Sequence, residues 1–357
     1  MSRFFSDKYK SLVPYTPGEQ PKSTEYIKLN TNESPFPPTE KAISYAADAA
    51  KRLQLYPDPE AYELSGKLAQ LLGVEREEVL LTNGSDEILN FAFMAFCDES
   101  HPAVFPDITY GFYKVFAEIN RVPYTEIPLS ADLTVNVEDY IGIGKNIFLA
   151  NPNAPTGIAL PVSDIERIIA SNPDNIVVID DAYVDFGAES CVPLIKKYGN
   201  LIVTQTFSKS RSMAGARLGF GVACGELIRD MNTVKYSTNP YNINRMTMAA
   251  GLGTLEDEET VRERCREIIA CREYTACELE RLGFELTDSR TNFVFAKHAG
   301  ADGEKLYLEL KKRGILVRHF NSERIKDYNR ITVGSREQME CFIKTIEEIL
   351  EASDEIR

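Results

Sequence analysis

The densest chemistry in the sequence lies at Thr206-Phe207-Ser208-Lys209, with Arg217 eight residues further on. A lysine set between hydroxyls can act as an amine nucleophile toward a carbonyl. An arginine at that distance can neutralise a phosphate beside it. Three other segments carry reactive or anion-binding types. Thr82-Asn83-Gly84-Ser85-Asp86-Glu87 places glycine and small polar residues where a helix opens, and such a start exposes N–H groups to an anion. Asn151-Pro152-Asn153-Ala154-Pro155-Thr156-Gly157 is spelled as a rigid, non-helical loop. In Ile176-Val177-Val178-Ile179-Asp180-Asp181-Ala182-Tyr183 a carboxylate ends a hydrophobic run, which is costly without a cation or a donor beside it.

Each of these segments follows a short apolar run of strand type. Val79–Leu81, Ile147–Ala150, Ile176–Ile179 and Leu201–Val203 read as strands, with helices over 86–96 and 162–170 between them. Continuous apolar strands separated by helices predict a buried, mostly parallel sheet of α/β type. All four polar motifs then fall at the carboxyl edge of that sheet, where ligands bind in open α/β folds. Ahead of the sheet, helices are expected over 39–55, capped by Thr39, and over 61–72, closed by Gly73. Residues 254–282 read as one long helix with the acidic run Glu256–Glu259 in its first turns. Strands follow near 293–296, 315–317 and 331–333, and a last helix starts at Arg336 with Phe342, Ile343, Ile346, Ile349 and Leu350 as its apolar stripe. The organisation expected is an N-terminal arm over 1–38, a large domain over 39–245 and a smaller α+β domain over 246–357, with the arm packing against the smaller domain.

The chain has 357 residues, enough for about two domains and a sizeable core. Forty Lys and Arg against 54 Asp and Glu leave a net charge of −14, which disfavours nucleic acid or an anionic membrane surface as partner. A few buried arginines can still hold a small anion. Seven cysteines without paired spacing argue against a disulfide framework. Cys265, Cys271 and Cys277 recur every six residues and cannot share one helix face, and His101, His298 and His319 are scattered, so no metal site is expected. The N-terminus carries no apolar signal, and the longest apolar run, 91–97, is far short of a membrane span, so a cytoplasmic protein is expected.

Taken together, the segments resemble a known family from about Leu29 to Arg336. They are Leu29-Asn30-Thr31-Asn32-Glu33-Ser34-Pro35, Tyr56-Pro57-Asp58-Pro59, Gly84–Glu87, Thr109-Tyr110-Gly111-Phe112-Tyr113, the Asn-Pro loop, Asp180 with Tyr183, Ser208-Lys209 with Arg217, Val317–Phe320 and Arg330–Gly334. The chain resembles the fold-type-I pyridoxal-phosphate aminotransferases, and more narrowly the histidinol-phosphate aminotransferase family. The narrower likeness rests on the Tyr56 and Tyr110 segments and on the pair Arg318 and Arg330.

The resemblance implies pyridoxal 5′-phosphate as cofactor, bound covalently by Lys209, which would also move a proton at the substrate's Cα. Asp180 would face the pyridine nitrogen, Tyr183 and Asn153 the ring's phenolic oxygen, and Tyr110 the ring face. Here Ala154 stands before Pro155 where the family often has Asn. Gly84, Ser85, Asp86, Thr206, Ser208 and Arg217 would hold the cofactor's phosphate. Tyr56 would reach the phosphate of a neighbouring subunit, which implies a homodimer with shared sites. Arg330 would take the substrate carboxylate, Arg318 a substrate phosphate, and Tyr15 would close over both. The implied reaction passes an amino group from L-histidinol phosphate to 2-oxoglutarate, giving imidazole-acetol phosphate and glutamate in histidine biosynthesis. Transamination of aromatic or neutral amino acids, decarboxylation of a phospho-amino acid, and a non-enzymatic binding protein are the competing readings.

Overall fold

The computed structural model describes residues 2–20 and 26–352; residues 1 and 21–25 of the expected arm lie outside the described residues. The arm ends in β1 (Ile27–Lys28), and helices α1 (Glu40–Ala50) and α2 (Tyr62–Leu72) follow. The large sheet is then laid down by β2 (Val79–Thr82), α3 (Ser85–Phe96), β3 (Ala103–Pro106), α4 (Phe112–Asn120), β4 (Tyr124–Ile127), β5 (Asn146–Ala150), α5 (Val162–Ser171), β6 (Val177–Asp180), β7 (Leu201–Thr206) and β8 (Gly219–Ala223). Its order is β2-β8-β7-β6-β5-β3-β4. Every residue of β2, β3 and β5 to β8 is buried, as a sheet covered on both faces requires. Alternate residues feed two different cores: Leu81, Leu149, Ile179 and Val203 on one face, Leu80, Phe148, Val178 and Ile202 on the other.

The α/β expectation therefore holds, with one change at the sheet's end. β2 has no parallel neighbour; it pairs antiparallel with β8, which in turn runs antiparallel to β7. Two reversals leave β2 pointing the same way as β7, so the Gly84 segment still reaches the shared carboxyl edge. β8 itself starts at that edge, and so carries Arg217 and Gly219 to it from the opposite direction.

The second half continues with α6 (Gly225–Thr238), α7 (Arg245–Leu255), α8 (Glu258–Arg281), β9 (Phe284–Leu286), β10 (Phe293–His298), α9 (Gly303–Lys312), β11 (Ile315–Leu316), β12 (Arg318–His319), β13 (Asn329–Thr332) and α10 (Arg336–Glu351). A four-stranded sheet, β12-β13-β10-β9, packs with α8 and α10 around its own core. β1 pairs in parallel with β11, and Leu29 lies in this second core, so the end of the arm is built into it.

Two helix expectations need correction. The helix expected to reach Leu55 stops at Ala50, because Leu53 and Leu55 are exposed and continue no buried stripe. Thr39 caps it as expected, accepting from the Ala42 N–H. The single helix expected over 254–282 is two helices. The chain turns at Glu256 and Asp257, where Tyr45 Oη binds the Glu256 carboxylate at 2.8 Å and Lys41 Nζ its carbonyl at 3.0 Å. Leu255 packs in the first core and Val261 in the second, so the break lies where the chain passes between cores. Among the described residues no helix is long and apolar enough to cross a membrane.

Candidate active site

A cavity of about 320 Å³ opens at the carboxyl edge of the large sheet. Ser85, Asp86, Tyr110, Asp180, Tyr183, Thr206, Ser208, Lys209 and Arg217 all line it. With Ala150 and Ala154 also in the lining, the ends of β2, β5, β6 and β7 thus converge as expected.

One end of the cavity is built to take an anion. α3 begins at Ser85, and its first N–H groups have no carbonyl to donate to within the helix. Gly84 has φ +77, and a Cβ there would stand 2.6 Å from Arg217 Nη2. A Cβ on Gly219 would stand 2.2 Å from the Ser85 nitrogen. Gly219 is thus needed for the close approach of β8 to the start of α3, and Gly84 for the positive φ by which the chain enters that helix. Around this cradle Thr206 Oγ1 donates to Ser208 Oγ at 3.0 Å, and Arg217 reaches Ser208 Oγ and the Asp86 carboxylate, each at a long 3.4 Å. Asp86 also accepts from Tyr110 Oη at 2.6 Å, which fixes that aromatic ring at the cavity wall. Donors this loosely partnered fit a phosphate group.

At the other end stand an amine, a phenol and a carboxylate. Among the described residues Lys209 is the only lysine in the lining; its Nζ lies 3.4 Å from the Thr31 carbonyl and 5.7 Å from the centre of the Tyr183 ring. The neighbours of Lys209 anchor its loop: Ser210 Oγ donates to Asp185, and Arg211 pairs with Glu258 of α8 at 2.6 Å. Asp180 is 5% exposed. Burial pushes its carboxyl up to about 7, the Asp86 charge adds to the rise, and the Ala182 N–H, Tyr113 and Lys209 oppose it. Its charged form lacks a close cation, so a protonated ring nitrogen in the cavity would complete it. Tyr113, fully buried, donates to Asp180 Oδ2 at 3.4 Å.

Asn153 is the correction among the expected site residues. Its Oδ1 accepts from Thr109 Oγ1 at 2.7 Å, and its two amide hydrogens go to the Ile108 carbonyl and Thr156 Oγ1. With its side chain engaged by the segment after β3 and by its own loop, it is absent from the cavity lining, and Ala154 lines the cavity instead. Tyr56 is also away from this cavity: it is 77% exposed and stacks on Tyr241 with centroids 4.7 Å apart. His319 stacks on Tyr307.

The two arginines stand together on the second sheet. Arg318 and Arg330 are direct partners in the β12–β13 register, and both lie against Phe320, at 5.7 and 5.6 Å. Like charges facing across strands destabilise a sheet. Neither forms an ion pair among the described residues. Arg318 donates only to the carbonyls of Thr16 and Pro17, at 3.2 and 3.5 Å, and Arg330 to that of Asn30 at 3.2 Å. Arg330 Nε is buried without a partner, and burial lowers its pKa. Tyr15, from the same arm stretch that Arg318 holds, packs on Phe112 at 4.3 Å, beside the Tyr110 segment. Arg330 and Tyr183 share Phe293, at 5.2 and 5.3 Å, so Arg330 stands behind the phenol end of the cavity, although neither arginine is part of the cavity lining itself.

Sequence reasoning assigned no role to Asn32, Tyr113 or Gly219. Asn32 and Tyr113 sit inside quoted motifs, but their partners are distant in sequence. Gly219 opens a strand that was not expected.

The aminotransferase class I and II family matches residues 24–346. The histidinol-phosphate aminotransferase of Brachyspira hyodysenteriae is 46% identical, covering 98% of this chain and 99% of its own. That of Marinomonas sp. is 48% identical over 95% of this chain and 97% of its own. The histidinol-phosphate aminotransferase of Sinorhizobium meliloti, solved with pyridoxal-5′-phosphate, superposes with a TM-score of 0.88 over 99% of both chains at 21% identity. The L-threonine-O-3-phosphate decarboxylase of Porphyromonas gingivalis also superposes, at 0.79 with 22% identity, covering 91% of this chain and 99% of its own, so the fold alone does not choose the reaction. The sequence likeness, nearly end to end, does: this chain belongs to the class I and II aminotransferases and, within them, to the histidinol-phosphate aminotransferase family.

Proposed function

We propose that this chain transfers an amino group between L-histidinol phosphate and 2-oxoglutarate, using pyridoxal 5′-phosphate held in the cavity at the sheet edge. The observation that carries the substrate is the Arg318–Arg330 pair. Two guanidinium groups that face each other across strands without a carboxylate counter-ion call for anionic ligands. A phosphate monoester in one half-reaction and a dicarboxylate in the other supply them.

The cradle of Gly84, Ser85, Asp86, Thr206, Ser208 and Arg217 would hold the cofactor's phosphate, Lys209 its carbonyl carbon, Asp180 its ring nitrogen and Tyr183 its ring oxygen. The cofactor, when bound, supplies an electron sink for the pair released when a Cα–H bond breaks. Lys209 Nζ, the only lysine amine among the described residues of the lining, would take that proton and return it. Asp180, buried and short of a cation, would keep a positive charge on the cofactor's ring nitrogen. Arg330 orients the substrate carboxylate or the 2-oxo acid, Arg318 takes the phosphate, and Tyr15 closes that side and limits water. Homodimerisation belongs to this reading. Tyr56, Tyr62, Tyr236, Tyr241 and Met246 are exposed around α2, α6 and α7, and a second copy would cover them.

Steady-state kinetics of wild type, Arg318→Ala and Arg330→Ala test the substrate assignment. A charge-assisted hydrogen bond contributes about 1.5–3 kcal/mol, roughly 10- to 150-fold in kcat/KM. Arg318→Ala is expected to lose that factor for histidinol phosphate and little for phenylalanine, while Arg330→Ala impairs glutamate and phenylalanine. Equal losses for phosphorylated and neutral substrates on Arg318→Ala would refute the phosphate role and favour an aromatic aminotransferase.

A further inference from the structure

Asn32 lies in the left-handed region at φ +56, is 1% exposed, and is held on every side. Its N–H donates to Thr332 Oγ1 at 2.9 Å, and its carbonyl accepts from Asn292 Nδ2 at 3.0 Å. Its side chain then bridges two hydroxyls. Thr332 Oγ1 donates to Asn32 Oδ1 at 3.1 Å, and Asn32 Nδ2 donates to Tyr183 Oη at 2.9 Å.

The directions of these bonds follow from one fixed point. A backbone N–H can only donate, so Thr332 Oγ1 accepts it, and the threonine's own proton has Asn32 Oδ1 as its acceptor. That sets the amide with its oxygen toward Thr332 and its NH₂ toward Tyr183. The reversed amide would leave the buried Thr332 hydroxyl without an acceptor among the described hydrogen bonds, which is costly. An NH₂ group can only donate, so Tyr183 Oη accepts from Asn32. The phenol's proton is then left for another partner. The tyrosine ring is held edge-on to Phe293 with centroids 5.3 Å apart, and it lines the cavity.

We propose that Asn32 is a positioning residue that sets the direction of the Tyr183 O–H, turning its proton into the cavity as a donor to the cofactor's ring oxygen. The inference rests on the cofactor reading above and adds a source of hydrogen-bond polarity in the second sheet: Thr332 of β13 dictates, through Asn32, which way a phenol in the first domain donates. A donor held in place costs no reorientation when the ring oxygen carries negative charge.

The test is a spectrophotometric pH titration of the lysine-bound cofactor's visible band. Loss of a donor to the anionic ring oxygen makes that oxygen share the lysine nitrogen's proton more tightly, so the midpoint rises. Tyr183→Phe is expected to raise it by about one pH unit. Asn32→Gly, which suits the positive φ, is expected to raise it in the same direction by a smaller amount, because the freed phenol then samples other directions. In the Tyr183→Phe background Asn32→Gly should add no further shift. An unmoved midpoint in Asn32→Gly, or a shift that persists without the phenol, would overturn the proposal. If Asn32→Gly does not fold, Thr332→Val carries the test, with the same smaller rise expected and an unmoved midpoint overturning it. If Tyr183→Phe itself leaves the midpoint in place, the placing of the cofactor against Tyr183 falls, and the role of Asn32 with it.

Discussion

Replacing Asp180 with Asn is expected to stabilise the cofactor-free protein at high pH while crippling the loaded enzyme. The carboxyl is buried at the end of β6, and its pKa is pushed up to about 7 by burial first and by the Asp86 charge second. An unfolded aspartate titrates near 3.9. Between about pH 4 and 7 the folded protein therefore holds a proton that the unfolded chain has released, and stability falls as pH rises through that window. A rise of about 3 units at 1.36 kcal/mol each gives ~4 kcal/mol lost by pH 8, an upper figure because a buried charge relaxes its surroundings. Asn is nearly isosteric and cannot ionise, so Asp180→Asn should avoid this loss. Denaturant unfolding of cofactor-free wild type and variant at intervals from about pH 4 to 8.5 measures the difference. Asp181, also pushed up to about 7 by burial, is present in both proteins and largely cancels. The variant should match wild type near pH 4 and exceed it by a few kcal/mol at pH 8. With pyridoxal phosphate bound the order should reverse in turnover, since the ring nitrogen then lacks its anionic partner. Parallel stability curves for the two cofactor-free proteins would refute the argument that Asp180 is a carboxylate held without a counter-ion.

Gly219→Ala places a methyl 2.2 Å from the Ser85 nitrogen, so the start of α3 must move away from β8. Losing one charge-assisted contact from the cradle should weaken cofactor binding roughly 10- to 150-fold, read by titrating the cofactor-free protein, and unchanged affinity would disprove the cradle's geometry. Tyr56 is exposed and away from its own chain's cavity, so mixed dimers of Tyr56→Ala and Lys209→Ala chains should recover one working site. Mixtures as inactive as either parent would exclude its donation to a neighbour.

Much of the site was legible because its chemistry is local. Lys209, Arg217, Asp180 and the Gly84 turn each follow an apolar strand within a few residues, and strand ends of one direction meet at one edge. The same locality misled at Asn153. Its loop was readable as rigid, but whether an amide turns inward or toward a ligand depends on Thr109, 44 positions away. The Asn32–Thr332 contact spans 300 positions and leaves no periodic trace. Helix 254–282 read as continuous because helical patterning persists across the turn, while the change of core that breaks it is a tertiary fact. β8 escaped notice because Gly219-Phe220-Gly221-Val222-Ala223 is glycine-rich, and its burial comes from both neighbouring strands.

The reversed strand β8 also fixes a length. Thr206 at the end of β7 pairs with Gly219 at the start of β8, so Lys209 and Arg217 sit on one connection between two hydrogen-bonded neighbours. The proposed covalent anchor and the proposed phosphate clamp are therefore two marks on a single ruler, whose spacing is set by the one loop between Thr206 and Gly219. Arg318 and Arg330, by contrast, belong to the second sheet. A shift of one core against the other would therefore leave the Lys209–Arg217 spacing as it is, while it changed both the gap across which the substrate is gripped and the contact that Thr332 makes with Tyr183 through Asn32.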